Sequence, residues 1–178
     1  YSPNKQKTAP TDFPVTVYPL LGDIAWNQDA PFNNLCPEQS VTGCVATAMS
    51  MIMKYYEYPK IGKGRHSYLT SFHGYSCSYD FEEKPFEWKK MLPKYIEGEY
   101  NEAQSKAVAE LMKACGVAVD MDYDVYSSAT SALKVAQGMA TYLKYDDNMH
   151  FRLRNSYTND EWMAMIKKEL SEKRPVLY

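Results

Sequence analysis

Few side chains in this sequence can make or break covalent bonds, and their placement singles out two. Cys44 follows Thr42-Gly43 at the head of an apolar run. A thiol in the opening turn of a helix sits among N–H groups that no earlier carbonyl takes up, where the helix dipole favours negative charge. That setting suits nucleophilic attack on a carbonyl. Gly43 ahead of it lets a substrate backbone approach with no side chain in the way. Gln28 is the second: a neutral amide on the preceding loop can donate an N–H to an oxyanion without titrating. Position alone leaves both open, because cysteines that only pack are common, and a loop amide ordinarily braces its own loop. A nucleophilic cysteine also needs an imidazole to protonate the leaving amine. His66 and His73 lie in a Gly/Tyr-rich stretch and His150 follows Asp146-Asp147-Asn148. None has a local motif, and each reads as a surface or structural residue.

The elements that must position these groups follow from periodicity. Residues 1–19 are Pro-rich and read as extended chain. Residues 26–34, Trp-Asn-Gln-Asp-Ala-Pro-Phe-Asn-Asn, are rich in turn formers. From Val41 to Tyr56, Val45, Ala48, Met49, Ile52, Met53 and Tyr56 recur at helical spacing, with Thr42 as the expected N-cap and Pro59 as the stop. This helix, apolar over most of its circumference, should be central. Its methionines Met49, Met51 and Met53 read as core filler. Gly62 to Asp80 reads as a long loop with short strands. Phe86–Tyr95 reads as a short helix, and Ala103–Cys115 as an amphipathic helix stopped by Gly116. Val117–Tyr123 alternates like a half-buried strand. Ser127–Ser131 leads into a helix to about Tyr142, and Thr158-x-x-Glu161 is a capping box for a last helix through Leu170. Arg174–Tyr178 reads as a strand.

Composition narrows the classes. The 178 residues are 45% hydrophobic and 24% charged, enough apolar surface for a folded core and against disorder. Twenty Lys and Arg against 22 Asp and Glu give a net charge of -2, with no basic footprint for nucleic acid. No apolar run reaches the roughly 20 residues of a membrane-spanning helix. Cys36, Cys44, Cys77 and Cys115 are irregularly spaced, which indicates neither a zinc site nor a dense disulfide framework. Asp120, Asp122 and Asp124 resemble the start of a calcium loop, but Val125 and Ser131 stand where that loop needs Gly and Glu. No metal and no cofactor is expected. The first residues, Tyr1-Ser2-Pro3, fit a chain whose signal or pro-segment has been removed.

Three stretches together carry a recognisable pattern. Trp26-Asn27-Gln28-x-x-Pro31-Phe32-Asn33-Asn34, Val41-Thr42-Gly43-Cys44-Val45-Ala46-Thr47-Ala48 and Met53-Lys54-Tyr55-Tyr56-x-Tyr58-Pro59 closely resemble the streptopain family. These are secreted bacterial cysteine peptidases of the papain clan. The likeness continues through Trp88-x-x-Met91-Leu92-Pro93, through Glu110 to Tyr123, and into Glu169-Leu170-Ser171-x-x-x-Pro175-Val176, so it covers nearly the whole chain. The papain Cys-Gly-Ser-Cys-Trp signature is absent, as in this branch.

The resemblance implies an α+β, papain-like two-lobe fold, this chain supplying mainly the helical lobe. Residues 1–40 would form the extended segment and oxyanion loop, 41–115 the helical lobe, and 116–178 the start of a β-containing lobe. It implies Cys44 as nucleophile, Gln28 as oxyanion donor, and a cleft bordered by Gly43 and, from the loop that matches a family segment there, Ser127, Ser128 and Ser131. It implies a secreted or cell-envelope bacterial protein, made as a zymogen and acting on proteins or peptides with a hydrophobic side chain near the scissile bond. A pro-segment or protein inhibitor is a further expected partner. In the family the catalytic His lies just beyond a strand like Arg174–Tyr178, a place that His66, His73 and His150 do not occupy. The expectation is therefore a single incomplete peptidase domain, inactive alone and completed by a C-terminal fragment on a second polypeptide. The rival expectation is a non-catalytic peptidase-like lobe that binds a peptide, pro-segment or inhibitor.

Overall fold

The computed structural model describes residues 18–178. The expected extended path of the Pro-rich start, with Pro3, Pro10 and Pro14, lies outside the described residues. Of those described, Asp23–Phe151 form one compact unit and Arg152–Tyr178 belong to a second.

Helix α1 runs Cys44–Tyr56. Its buried face is Ala46, Met49, Ser50 and Met53, with Thr47 alongside, an i, i+3, i+4, i+7 stripe. Val45, Ala48 and Ile52 are only half-buried and Tyr56 is exposed, so the helix is one-sided and not enclosed all round. The chain leaves α1 through Glu57 in the left-handed conformation.

Helix α2, Glu102–Ala118, is the centre of this unit and packs on α1, on both strands and on α3. Asn101 and Gln104 exchange bonds with each other's backbone as a capping box at its start. The expected stop at Gly116 does not occur. The helix passes through it, because a Cβ there would collide with the Tyr123 hydroxyl and lie 3.0 Å from its Cζ. The glycine makes space for a buried ring and does not end the helix. The expected strand at 117–123 is likewise replaced. Val117 and Ala118 are helical, and only Val119, Met121 and Tyr123 keep the alternate burial.

The ladder of paired strands among the described residues is in the segment read as a long loop with short strands. Strand β1 (Arg65–Leu69) pairs antiparallel with β2 (Ser76–Asp80), Tyr68 opposite Cys77. Late in the chain, where the alternating pattern was strongest, there is one isolated bridge, Asp122 with Ala129. Phe86–Tyr95 is mostly irregular, with a 3-10 turn at Trp88–Lys90. Pro93 follows too closely for a helix to propagate. Trp88 and Met91 are nonetheless buried, and the Trp88 indole N–H donates to the Pro59 carbonyl at 3.0 Å.

Helix α3, Leu133–Tyr142, lies against α2, and Gly138 marks their contact: a Cβ there would run into the Ala118 backbone. In the second unit α4, Asn159–Ser171, opens with the expected box, in which Thr158 N–H donates to Glu161 Oε2 at 2.8 Å and Thr158 Oγ1 accepts from Glu161 N–H. Arg174–Tyr178 pairs in no ladder among the described residues, so the expected strand is not formed here. No described helix is long and apolar enough to cross a membrane.

Candidate active site

Cys44 is the first residue of α1, and it is exposed, whereas Cys36, Cys77 and Cys115 are buried; all four are free thiols. What holds Cys44 outward is the residue before it. Gly43 is the N-cap with φ +84 and ψ 135, a region closed to side-chain-bearing residues except at a cost. A Cβ on Gly43 would also lie 2.6 Å from both Sδ and Cε of buried Met121 and 3.2 Å from the Ser128 carbonyl. Thr42 is not the cap. Its hydroxyl is buried and pairs with that of Thr47 at 2.8 Å, and Thr47 also donates to the Gly43 carbonyl at 3.1 Å. A threonine that far inside satisfies itself within the core and leaves the helix N-terminus open.

Gln28 is brought alongside. Its main-chain carbonyl accepts from Thr42 N–H at 3.2 Å, two residues ahead of Cys44. The loop that carries it is fixed by short-range turns, Asp29 N–H to Asn27 Oδ1 at 3.0 Å and Phe32 N–H to the Asp29 carbonyl at 2.8 Å. It is also anchored at its edges: the Trp26 indole donates to the Leu92 carbonyl at 2.9 Å, and Phe32 packs edge-on to Tyr95.

Of the three serines, Ser128 is buried and its hydroxyl bonds the Val41 carbonyl at 2.6 Å. Ser127 is exposed, its N–H held by Asp124 at 3.2 Å. Ser131 is turned to another task. Its hydroxyl accepts from Leu133 N–H at 3.3 Å as the chain enters α3. The structure thus gathers Gln28, Gly43, Cys44 and Ser128, with Ser127 on the same loop, and engages Ser131 at α3.

Neither His66 nor His73 is bonded to Cys44. His66 Nε2 pairs with Asp120 at 2.6 Å, and its ring stacks between Tyr68 and Tyr142. His73 Nε2 pairs with Asp124 at 2.8 Å. His150 is exposed. The three aspartates that looked like part of a calcium loop anchor the β1–β2 hairpin instead, Asp122 through the Phe72 N–H at 3.2 Å. Burial pushes the Asp120 carboxyl up, but bonds from His66 and Lys134 outweigh it and hold it below the usual carboxylate range. Asp124 is held low chiefly by His73, then by Tyr126 N–H. No cluster of three or more His, Cys, Asp or Glu among the described residues could hold a metal ion. Sequence reasoning gave Met121 no role beside Cys44, and it read Asp124 as part of a broken calcium loop and His73 as a surface or structural residue without joining the two. The regular spacing of Asp120, Asp122 and Asp124 opposite a segment with two histidines was their signal.

A family model described as the peptidase C10 family matches residues 26–178. The chain belongs to that family. Streptopain from Streptococcus pyogenes is 34% identical over 175 residues, covering 87% of this chain and 44% of the streptopain sequence. The thiol protease/hemagglutinin PrtT of Porphyromonas gingivalis is 31% identical, covering 99% of this chain and 22% of its own. The chain thus spans less than half the length of these C10 relatives. Active interpain A, a cysteine protease of Prevotella intermedia, superposes with a TM-score of 0.81 at 34% identity, over 88% of this chain and 66% of its own. A prointerpain A fragment gives 0.82 at 33% identity, over 88% and 52%. The expected α+β, papain-like fold is thereby established, mainly helical in the described part.

Proposed function

We propose that the protein is a cysteine endopeptidase with Cys44 as nucleophile and Gln28 as oxyanion donor. The observation that carries this is the exposed Cys44 at the open N-terminus of α1, with Gln28 bonded to Thr42 beside it. The Cys44 thiolate attacks the peptide carbonyl and an S–C bond forms. The oxyanion is received by the Gln28 amide and the Cys44 N–H. An imidazolium gives its proton to the scissile nitrogen, the C–N bond breaks and the amine leaves. Water, losing its proton to the imidazole, then releases the acid and regenerates the thiolate. His66 and His73 are paired with aspartates and not with Cys44, and on this reading the imidazole is the one that the family resemblance places just beyond a segment like Arg174–Tyr178. Substrate would lie extended across Gly43, past Ser127 and Ser128.

The same reading has the protein secreted by a bacterium and made with a pro-segment, in keeping with its likeness to prointerpain A. The test is turnover of a peptide by the protein completed by its histidine-bearing part. Cys44→Ala abolishes it with the fold intact. Gln28→Ala lowers kcat by about 10²–10³, the usual weight of one oxyanion donor. Turnover retained in Cys44→Ala defeats the assignment, and peptide binding without any turnover in the wild type moves the protein to the non-catalytic reading.

A further inference from the structure

Three parts of the structure meet at Asp124. Its Oδ1 accepts from Tyr126 N–H at 2.7 Å and Ser127 N–H at 3.2 Å, while Oδ2 bonds His73 Nε2 at 2.8 Å. Its own N–H donates to Ser128 Oγ at 3.0 Å, and its carbonyl accepts from Val41 N–H at 3.3 Å. The Ser128 hydroxyl reaches the Val41 carbonyl. Val41 is therefore gripped on both its N–H and its C=O by a loop whose shape one carboxylate sets, three residues ahead of Cys44. The same loop puts the Ser128 carbonyl against Gly43.

The base of the loop is closed by the Asp122–Ala129 bridge and by the buried Ser128, and its tip depends on the carboxylate. Val125 and Tyr126 are exposed, Tyr126 by 91%, so no apolar side chain anchors its tip. His73, by contrast, is well held: it stacks on Tyr75 and meets Phe72 edge-on, and Phe72 N–H is itself bonded to Asp122. The Asp124 carboxylate ties the loop to this hairpin turn.

We propose that Asp124, fastened by His73, is a positioning residue for peptide binding, holding residues 124–128 in the shape that flanks Gly43 and Cys44. This rests on the peptidase reading of Cys44. A loop freed from Asp124 has to be ordered by each incoming peptide, so the penalty falls on binding. The thiol itself is placed by α1, whose backbone bonds Asp124 does not touch, so the intrinsic reactivity of Cys44 is spared.

The experiment compares two reagents on the protein completed by its histidine-bearing part. A peptidyl chloromethyl ketone, from which the thiolate displaces chloride, needs the loop; iodoacetamide needs only the thiol. In Asp124→Ala the half-saturating concentration of the peptidyl reagent rises at least tenfold. Its limiting rate and the iodoacetamide rate stay within twofold of wild type. Asp124→Asn, which keeps the Oδ1 acceptor, recovers to within threefold. An unchanged half-saturating concentration overturns the proposal, as does a rise accompanied by a matching fall in the limiting rate and the iodoacetamide rate. Should Asp124→Ala not fold, His73→Ala carries the same test, with a threefold or greater rise expected and no change overturning it. If the peptidyl reagent does not label the wild type, the peptidase reading and the proposal fall together. If it labels wild type and variants alike, only the proposal falls.

Discussion

Replacing Gly43 by alanine should lower the stability of this protein. Two penalties add. The backbone at φ +84, ψ 135 is sparsely populated for a residue with a Cβ, at about 1–3 kcal/mol. The new methyl then lies 2.6 Å from the end of Met121. A methionine end can normally swing aside, but this one is fully buried, so overpacking adds about 1–3 kcal/mol. Restricting the unfolded chain returns about 0.4–1 kcal/mol. The net is a loss of about 1–5.5 kcal/mol, which at a slope of about 2 kcal/mol/M lowers the urea midpoint by about 0.5–3 M. Tryptophan fluorescence during urea unfolding reads it. The decisive comparison is made in a Met121→Ala background, where the steric part is gone and the same substitution costs only the backbone part, about 1–3 kcal/mol. A Gly43→Ala protein within about 0.5 kcal/mol of wild type, or an equal cost in both backgrounds, refutes the reasoning.

Two further outcomes follow from the titrating groups. Burial pushes the thiols of Cys36 and Cys115 up to about 12 and that of Cys77 upward. Folded protein at neutral pH therefore takes up one equivalent of iodoacetamide, on exposed Cys44, and four in denaturant; peptide mapping that finds Cys36, Cys77 or Cys115 modified at a similar rate contradicts this. The carboxyl of Asp120 has a native pKa below its unfolded one, so its contribution is complete above the ordinary carboxylate value of about 3.9 and is lost as pH falls through the lower native value. Asp120→Asn accordingly destabilises at about pH 6 and by progressively less as pH falls below about 3.9; a urea-midpoint loss that does not shrink with falling pH would tell against the His66 and Lys134 pairing.

What was legible in the sequence depended on whether the signal was local. The capping box at Thr158, the helical run of α1 down to Tyr56, and the turns that carry Gln28 are all written within a few residues, although the cap of α1 is Gly43 and not Thr42. Misreadings arose where a distant partner decided. Gly116 looks like a helix stop until Tyr123 is packed against it. Val117 to Tyr123 alternates in hydropathy, but the first two residues complete α2; of the rest, Val119, Met121 and Tyr123 are buried and Asp122 makes a single bridge, to Ala129. The β1–β2 hairpin was faint because its apolar content is low, and aspartates 40 residues or more away steady it. The site was legible in its chemistry and illegible in its support: nothing near Cys44 in sequence announces Met121, Asp124 or His73.

Helix α2 has almost no outer side from Ala107 to Ala118, where ten of its residues are buried. Several of these are the smallest residues available: Ala107, Ala109, Ala114, Gly116 and Ala118. With neighbours on every side, a larger residue at one of them has no free space to enter. Over evolutionary time such positions change in compensating pairs, a gain of volume on α2 matched by a loss on the partner it faces. Ala118 with Gly138 and Gly116 with Tyr123 are the couples in which such paired exchange should be visible among relatives, while Lys113 in the same helix drifts independently.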